Sequence, residues 1–469
     1  MEVRRATGAL KAAFAVAACV LSTALPAKAD ILIFKDENTG WELYGRGVIN
    51  GFVTYAFGDG VPVQPTGDIQ RQFIGGGVRG STIRHQDANG EVDLGEQGTV
   101  SMWRVRSGFS PNVLGLGARK DISPDLKLRT AFSMWGTLEP PSGQAYRLLR
   151  LDMREGYGAV DTPWGSLTVG RHLGLFSRGI VQMNYKYLHQ YGVGFHGGNL
   201  NGSGPAAGMI GFGVLAAFFQ PGIMYSSPKL WDVLQIDVGV YDPVQLTGSW
   251  GVSGTPRPEF EATLERKWGT DNLARLFVNG AWQKLYSAGR ASQETMYGMG
   301  AGGSIEIGPW HFGAGGHVGR GLGLYYALEL SDASIGPFEV NGPTTSSCPN
   351  GPGNAPPRDD GLGPKDCLKS YELRTFWGGS AFAQYSPGKF DINLGVGRSH
   401  VKLVEGDIRS SVAAVQSVIK NQTGVAAAFV YHVTDHLHWN IDVMRGIFEW
   451  YTGEEQHVNY VNSGMTVNW

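Results

Sequence analysis

The amino-acid sequence predicts a closed antiparallel β-barrel of sixteen strands that spans a membrane, and three observations lead to this fold class. Between Trp41 and Trp469 the chain divides into about sixteen short segments in which apolar and polar residues alternate. The joins between these segments switch regularly between a tight turn and a long polar loop, as in outer-membrane barrels. Glycine is frequent, at 70 of 469 residues, and charged residues make up only 17% of the chain.

Composition narrows the class further. The mean hydropathy of −0.15 is too low for a bundle of apolar membrane helices, but it fits strands in which lipid-facing and water-facing residues alternate. A formal net charge of −2 gives no bulk basicity that would point to nucleic acid. Since no low-complexity linker divides the chain, residues 30–469 are predicted to form a single domain.

Residues 1–29 are predicted to be a cleaved signal peptide. Arg4, Arg5 and Lys11 precede an apolar run from Ala12 to Leu25, and Ala27-Lys28-Ala29 supplies small residues for cleavage before Asp30. The alternative is a lipoprotein modified at Cys19, although the apolar run continues past that residue. The mature protein is therefore expected outside the cytoplasm.

The first segments show the alternation residue by residue. The first strand turns a polar face with Arg46 toward water, and its other face carries apolar residues together with Gly45, Gly47 and Gly51, which are small enough to let a neighbouring barrel approach closely. The second segment, Thr99 to Lys120, turns Arg104 and Arg106 inward, and a bulge is predicted at Pro111, where the alternation changes parity.

The third strand, Leu126 to Trp135, turns Arg129 inward. The fourth, Arg147 to Val160, is predicted to turn Arg150, Asp152 and Arg154 inward and Tyr157 outward. A short fifth strand covers Ser166 to His172.

The predicted turns and loops complete the count of sixteen strands. Tight turns are predicted at Asp121–Asp125, Asp161–Gly165, Lys229–Asp232, Gly269–Asn272, Gly308–Pro309, Ser386–Lys389 and Val433–Leu437. Long loops after the fifth strand are predicted at Pro243–Pro258, Tyr286–Glu294, Ser331–Ser370, Glu405–Gln422 and Thr452–Gln456. This order puts short turns on the periplasmic side and long loops on the extracellular side. The terminal stripe with Val461, Met465, Val467 and Trp469 has the two-residue period of a final strand.

Cys348 and Cys367 are the cysteines of the mature chain, and they lie in a stretch rich in Pro, Gly and Asp from Asn341 to Lys369. We expect them to form a disulfide that closes a loop of about twenty residues. The alternative is two free thiols in a mobile loop.

Three motifs carry a resemblance to a known family. The stretch from Asp30 to Arg46, with its Leu-Tyr-Gly-basic step, resembles the mature start of the general diffusion porins of Gram-negative bacteria. Leu114-Gly115-Leu116 through Leu126-Lys127-Leu128 resembles their second hairpin, and Gly156 to Val160 followed by Gly165 to Arg171 resembles the hairpin entering their third loop. The resemblance implies a trimer of sixteen-stranded barrels, in each of which the third loop folds into the lumen between acidic loop residues and basic wall residues.

The roles of the family's residues can be assigned to this chain only at positions that match the family's motifs. Arg46 falls on the basic position of the first strand and Arg154 on the lumenal arginine of the fourth, whereas two wall positions that are often basic are Val113 and Phe218. The third loop also departs from the family, because no Asp or Glu occurs from Leu173 to Trp231. It carries Arg178 and Lys186 instead.

The apolar run Ala206 to Phe219 within this loop has three interpretations. It packs on the inner barrel wall, it forms a hydrophobic constriction, or it contacts another subunit. A membrane helix is not expected, because the run is short and is interrupted by Gly208, Gly211 and Gly213.

The distribution of charged residues predicts whether the pore prefers anions or cations. Arginines predicted to face the lumen meet a loop without carboxylates, and a narrow low-dielectric pore focuses such a field. We therefore expect a weak to moderate preference for anions, unless Asp152, Glu42 and loop acids balance the cations. The predicted pore-lining residues are Arg46, Arg104, Arg106, Arg129, Arg150, Asp152, Arg154, Arg178 and Lys186.

Motifs for enzymatic chemistry are weak. Gly298 to Gly303 satisfies G-x-G-x-x-G, but it continues with strand parity and has no helix to hold a pyrophosphate. His432, His436 and His438 could chelate a metal in one tight turn, yet such turns accept any polar residue, so no metal site or cofactor is predicted. The spacing of Val412, Val415 and Ile419 predicts a short amphipathic helix within Ser410 to Lys420.

Three hypotheses for function follow. The first is a general outer-membrane channel for ions and small hydrophilic solutes, which acts as a homotrimer in outer-membrane lipid. The second is a substrate-specific channel whose unusual third loop selects anionic, aromatic or apolar solutes. The third, a barrel enzyme or adhesin, lacks a catalytic motif or a passenger domain. A soluble β-sandwich is the structural alternative.

Overall fold

A computed structural model of the chain describes most of the predicted strands and part of the loops. The described residues are 31–59, 85–86, 92–93, 99–109, 112–136, 138, 151–188, 208–217, 219–243, 252–287, 293–323, 339–340, 369–370, 373–404, 419–451 and 453–469. Cys348, Cys367, Arg150, Phe218 and the predicted signal peptide lie outside them.

These residues form 23 strands and one helix. The strands are β1 Ile31–Lys35, β2 Glu42–Asp59, β3 His85–Gln86, β4 Val92–Asp93, β5 Thr99–Arg106, β6 Asn112–Ser123, β7 Leu126–Gly136, β8 Leu151–Thr162, β9 Gly165–Leu173, β10 Phe219–Ser226, β11 Leu234–Tyr241, β12 Val252–Gly254, β13 Arg257–Trp268, β14 Asn272–Ser287, β15 Gln293–Ile307, β16 Trp310–Arg320, β17 Glu339–Val340, β18 Lys369–Ser370, β19 Thr375–Tyr385, β20 Phe390–Lys402, β21 Ile419–His432, β22 Leu437–Trp450 and β23 Glu455–Asn468. The helix is α1, Arg178–Tyr187. No helix among the described residues is long and apolar enough to cross a membrane.

The strands close into one antiparallel barrel with sixteen strand positions, which confirms the predicted fold class. Nineteen strands belong to one sheet, in which strands that follow each other along the chain pair with each other. β2 pairs with β23 from Val48–Asn468 to Gly58–Val458, so the sheet closes on itself. Two of the sixteen strand positions are each occupied by two shorter strands. β5 and β6 both pair with β2, and β12 and β13 both pair with β14. Since closure pairs the edge strands, the backbone can cross a bilayer.

The two faces of the barrel differ as the alternation predicts. The outer face is apolar, with large exposed side chains such as Ile49, Val53, Leu276, Met299 and Val396. The alternate positions point inward and carry many buried polar side chains, for example Asn50, Thr54, Asp237, Glu261 and Asn279. An apolar outer belt around a polar interior is the arrangement of an outer-membrane barrel.

The predicted bulge in the second segment is supported by the pairing on both sides of it. Phe52 pairs with Arg106 of β5, and Val48 pairs with Val113 of β6. Four steps along β2 therefore lie opposite seven steps along the partner, and the change of parity keeps both Arg106 and Val113 on the inner face.

The prediction that Tyr157 points outward is wrong. The register between β7 and β8 shifts between Ser133–Glu155 and Met134–Met153, which reverses the parity of β8 beyond Arg154. Tyr157 is therefore buried inside the barrel, where its ring meets His172 edge-on at 6.3 Å between centroids. The same shift turns Glu155 inward.

The turns lie where they were predicted. β6 and β7 are joined across Asp125, and β8 and β9 across Trp164, so both turns are tight. β21 already begins at Ile419, so the end of the predicted amphipathic helix is strand, while residues 410–418 lie outside the described chain.

The strand β1 was not predicted, and it changes the interpretation of the glycines on β2. β1 pairs with β2 from Ile31–Gly45 to Lys35–Glu42, directly beyond the position where Trp469 pairs with Gly47 through backbone hydrogen bonds of 2.8 and 3.0 Å. A Cβ on Gly45 would lie 2.9 Å from Ile33, and one on Gly47 would lie 2.1 Å from the Trp469 ring. These two glycines therefore accommodate side chains of their own chain and are not open to a neighbouring barrel.

Candidate functional site

The candidate site is the barrel lumen and the segment that enters it between β9 and β10, which we call the lumen loop and define as residues 174–188 and 208–217. The loop includes α1, whose Ile180, Val181, Met183 and Tyr187 are buried. α1 contacts β15, β16 and β19 on their inner faces. An apolar helix face packs here against the inside of the barrel, not against lipid.

Arg178, the first residue of α1, attaches the helix to the wall. Its guanidinium donates to Asp237 of β11 and, at 2.8 Å from Nε, to Oε1 of Glu261 of β13. Burial lowers the pKa of Arg178, and the attraction of Glu261 and Asp237 overrides that effect and raises the pKa above its ordinary value. The side chain is 11% exposed, so this is a largely desolvated ion triad. It stabilises the loop only while all three charges are present.

Glu259 holds the backbone that precedes α1. Its Oε2 accepts hydrogen bonds from the amides of Leu175 at 2.6 Å and Phe176 at 3.0 Å. Its Oε1 accepts from Arg257 Nε at 2.8 Å. The strand β13 thus presents two carboxylates on successive inward positions, 259 and 261, and both bind the loop.

The other end of α1 is held by one more wall carboxylate. Glu306 of β15 accepts hydrogen bonds from Lys186 Nζ and from the Tyr187 hydroxyl, both at 2.5 Å. Burial and the hydrogen bond to Glu306 raise the pKa of Tyr187 above its ordinary value, so the phenol keeps its proton and remains a donor. Both ends of the helix are therefore fixed to wall acids.

The second part of the lumen loop, residues 208–217, crosses to the opposite strands. The Phe212 ring meets Phe448 of β22 at 5.8 Å between centroids, and the Gly213 amide donates to Ser399 Oγ of β20 at 2.9 Å. All ten residues are buried. Of the three interpretations of the apolar run, the described part fits packing on the inner wall.

Glycines in the wall make room for the loop. A Cβ on Gly298 of β15 would lie 2.3 Å from the Phe176 ring, and a Cβ on Gly397 of β20 would lie 2.0 Å from the Phe212 carbonyl oxygen. Neither contact is possible for a larger residue without displacement of the loop. Within the G-x-G-x-x-G sequence on β15, loop packing thus explains Gly298, whereas a Cβ on Gly300 or Gly303 would meet neighbouring strands.

Most of the predicted pore-lining cations have a carboxylate beside them. Arg46 Nη2 lies 2.6 Å from Glu155 Oε2, and Arg129 forms an ion pair with Asp161. Arg154 donates to Asp152 at 2.9 Å, and its guanidinium lies 4.6 Å from the centroid of the Trp135 ring.

Arg104 and Arg106 add positive charge to the inner face of β5. Arg106 is fully buried, donates to Thr54 Oγ1 at 3.0 Å and lies 5.6 Å from the centre of the Tyr460 ring. Arg104 is half-buried two residues away. Arg150, the remaining predicted cation, lies outside the described residues.

The acids that lie beside these cations belong to the barrel wall. The loop has no acids in its sequence, but the wall supplies them, and sequence reasoning missed all of the following: Glu155, Asp161, Asp237, Glu259, Glu261 and Glu306. Compared with the family that the sequence resembles, the polarity is reversed, because the cations of this contact are on the loop and the acids are on the wall. Strand parity could have found them, since Asp237 alternates with the exposed Ile236 and Val238.

The three histidines near the β21–β22 turn do not converge on one point. His432 Nδ1 lies 2.7 Å from His438 Nδ1, and His432 Nε2 lies 2.9 Å from Asp391 Oδ2. His436 instead contacts the Asn468 carbonyl oxygen at 3.0 Å. In the described part of the chain no group of three or more metal-ligating side chains could hold an ion.

Barrel closure, the apolar outer belt and the loop in the lumen define the class as a sixteen-stranded barrel of the Gram-negative outer membrane, which the chain crosses many times. Among solved structures the chain is similar to the outer membrane channel DcaP of Acinetobacter baumannii, with a TM-score of 0.59 and 14% identity over 94% of this chain and 100% of that chain. At that identity the similarity shows the fold alone.

Two further solved structures have lower TM-scores. The anion-selective porin from Comamonas acidovorans has a TM-score of 0.49 and 12% identity over 92% of this chain and 100% of that chain. OmpF of Salmonella typhi in complex with daunomycin has a TM-score of 0.47 and 10% identity over 93% of this chain and 100% of that chain. No protein-family model matches the chain, and no curated protein matches its sequence.

Proposed function

We propose that the protein is an outer-membrane channel through which ions and small hydrophilic solutes diffuse passively. The observation that carries this proposal is the contrast between the two faces of the barrel. The outside is apolar, while the inside carries ion pairs and buried polar side chains, including Arg46–Glu155 and Arg129–Asp161. A closed barrel with a polar interior provides a path for water and solutes across the bilayer.

Swelling of liposomes that contain the full-length protein tests the proposal. Sugars of graded size should enter at rates that fall steeply with size, without saturation. If the liposomes do not swell with any sugar, although the protein is inserted, the channel proposal is wrong.

We further propose a weak preference for anions. Arg104 and Arg106 on the inner face of β5 support the sign. The pairing of Arg46, Arg129 and Arg178 with wall acids supports the small magnitude of this preference, because paired charges produce a weaker field in the lumen than separate ones. The reversal potential across a KCl gradient in a planar bilayer measures the preference, and a cation preference at neutral pH would contradict it.

The substrate-specific alternative was based on the apolar run of the lumen loop. The described residues of that run, 208–217, are buried against the wall, so they give no support to a selective apolar surface. Saturable swelling rates with one class of anionic or aromatic solute would favour this alternative over general diffusion.

We also propose that three such barrels associate and that the mature chain begins at Asp30. The sequence resemblance supports both, whereas Gly45 and Gly47 no longer support the trimer, since Ile33 and Trp469 cover them. Three equal conductance steps in a single-channel record would fit the trimer, and N-terminal sequencing of the purified protein would locate the cleavage site.

A further inference from the structure

A group of charged side chains lies on the outer face of the barrel, at the extracellular ends of β20, β21 and β22. The register of these strands places residues side by side in rows across the outer face. From the middle of the membrane outward, the rows are Leu394–Ala427–Val443, Val396–Val425–Arg445, Arg398–Thr423–Ile447 and His400–Asn421–Glu449. Along β20 the outward side chains change from apolar to polar between Val396 and Arg398, and along β22 the first outward cation is Arg445.

Four cations belong to this group, which we call the outer basic patch and define as Arg398, Lys402, Lys420 and Arg445. All four are exposed, and Arg398 is 46% exposed at its side chain. Glu449 is the carboxylate within the patch, and both of its oxygens accept from Arg398 Nη2, at 3.2 and 3.1 Å. In the described part of the chain no carboxylate contacts Lys402 or Arg445, so the patch carries excess positive charge.

Neighbouring polar side chains hold part of the patch in place. Asn421 Nδ2 donates to Glu449 Oε2 at 2.5 Å, and Asn421 Oδ1 lies 2.8 Å from His400 Nδ1. The His400 ring stacks on Trp377 at 5.1 Å between centroids. The Arg398 guanidinium is therefore oriented before any partner arrives.

The depth of the patch identifies its surroundings. β22 has 14 residues, more than the roughly ten that a tilted strand needs to cross the hydrocarbon, and Arg445 is the ninth of them. With a rise of about 3.4 Å per residue and a tilt of about 40°, Arg445 lies ~13 Å below the end of β22. Arg398 and Lys402 lie nearer to the end of β20. Lys402 and Lys420 lie at the extracellular ends of β20 and β21, at the level of lipid headgroups, and the long side chains of Arg398 and Arg445 extend toward that level from below.

We propose that the outer basic patch binds the phosphate groups of an anionic lipid headgroup in the outer leaflet of the membrane. Guanidinium and ammonium groups are strong donors to phosphate oxygens, and phosphate is the anion present at that level of a bilayer. A second copy of the chain fits less well, because it would have to supply matching acids. The described acids at the same level on neighbouring strands, Asp59 and Glu455, lie against His457 of their own chain at 3.1 and 3.4 Å.

Lipid binding to the detergent-purified full-length protein tests this proposal. The probe is diphosphoryl lipid A, compared with the same lipid after removal of its phosphates, and native mass spectrometry counts the bound copies. The test variant combines Arg398→Gln, Lys402→Gln and Arg445→Gln. The matched control is Lys284→Gln, which removes an exposed cation at the extracellular end of β14, away from the patch.

The native protein and the Lys284→Gln control should bind diphosphoryl lipid A equally and the dephosphorylated lipid weakly. The triple variant should bind diphosphoryl lipid A about a hundredfold more weakly, since each basic residue near an anionic surface adds a similar increment of affinity. Binding to the native protein should also fall as salt is raised. Heat-modifiable migration of each variant in detergent gels checks that its barrel has folded.

Two results would overturn the proposal. One is equal binding of diphosphoryl lipid A by the triple variant and the native protein, or equal binding of both lipids by the native protein. The other is loss of oligomers in the triple variant with lipid binding unchanged, which would make the patch a contact between subunits. Neither result depends on whether the lumen conducts, so the channel proposal is tested separately.

Discussion

At the scale of single residues, Arg178 shows how a lumenal cation can serve as an attachment point. Its guanidinium binds Asp237 and Glu261, which belong to two strands of the wall, and it stands where α1 begins. Removing one member of a buried ion triad leaves the other charges without compensation. The arrangement therefore makes the position of the whole helix sensitive to one side chain.

We expect Arg178→Met to destabilise the lumen loop by about 3–5 kcal/mol, because Asp237 and Glu261 would remain buried without their cation. Single-channel recordings should show greater current noise, and a protease added to the purified protein should cut the loop faster. Arg178→Lys should be milder, since it keeps the charge. Noise as low as in the native protein in the methionine variant would contradict the anchoring role.

A second prediction concerns the pair Arg46–Glu155. Glu155→Gln removes the carboxylate 2.6 Å from Arg46 and keeps the side-chain shape, so the positive potential in that part of the lumen should rise. The reversal potential in a KCl gradient should shift toward stronger anion preference. Glu449→Gln, on the outer face, is the control and should leave the reversal potential unchanged; an equal shift in both variants would argue against a lumenal origin.

Sequence reasoning located the basic residues of the lumen better than the acidic ones. Arg46, Arg106 and Arg129 were assigned to the inner face by simple alternation from nearby turns, and the structure places them there. Glu259 and Glu261 follow the same two-residue period on β13. Their pairing with a loop more than eighty positions earlier in the chain depends on how the loop folds back, which local patterns do not specify.

At the scale of elements, the lumen loop and the glycines of the wall form one packing unit. The loop supplies large apolar side chains such as Phe176 and Phe212, and the strands opposite them supply residues without side chains. A groove that fits one path of the loop restricts the alternatives, because protein interiors tolerate little overpacking.

We expect Gly397→Leu to displace residues 208–217, because even a Cβ at this position would lie 2.0 Å from the Phe212 carbonyl oxygen. The single-channel conductance should change, while heat-modifiable migration should show that the barrel still forms. Gly156→Leu on β8 is the control, since nothing lies within 4 Å of a Cβ at that position. Identical conductance in the native protein and Gly397→Leu would show that the loop does not depend on this contact.

Elements with regular alternation could be predicted, and elements with a local irregularity could not. The shift between β7 and β8 reversed the faces of Glu155 and Tyr157, because one extra residue in a strand moves every later side chain to the other face. The bulge near Pro111 was found because proline marks it, whereas β8 has no such marker at Arg154. β1 was missed because its short run of apolar residues has no alternation.

At the scale of the whole molecule, both ends of the described chain meet at one place on β2. Trp469 pairs with Gly47, and β1 continues along β2 from Gly45 to Glu42. The Trp469 ring lies over Gly47 and Ile33 lies over Gly45. The junction of the first and last strands is thus sealed by side chains from both ends.

Trp469→Ala should therefore lower the stability of the closed barrel, since it removes an aromatic ring from this junction without changing a backbone hydrogen bond. The temperature at which the detergent-purified protein changes its migration in gels should fall. Trp164→Ala is a suitable control, because that side chain is 82% exposed on a turn. An unchanged transition temperature in Trp469→Ala would show that the ring contributes little to closure.

The pairing of β2 with β23 makes closure of the barrel depend on the last strand of the chain. Gly58 pairs with Val458 of the last strand. The free edge of β2 is therefore covered only when β23 is present. A copy shortened by its last strand would expose the hydrogen-bonding groups of β2, and such an edge invites association with other chains. The pairing of β2 with β23 therefore distinguishes a closed barrel from one that lacks its last strand.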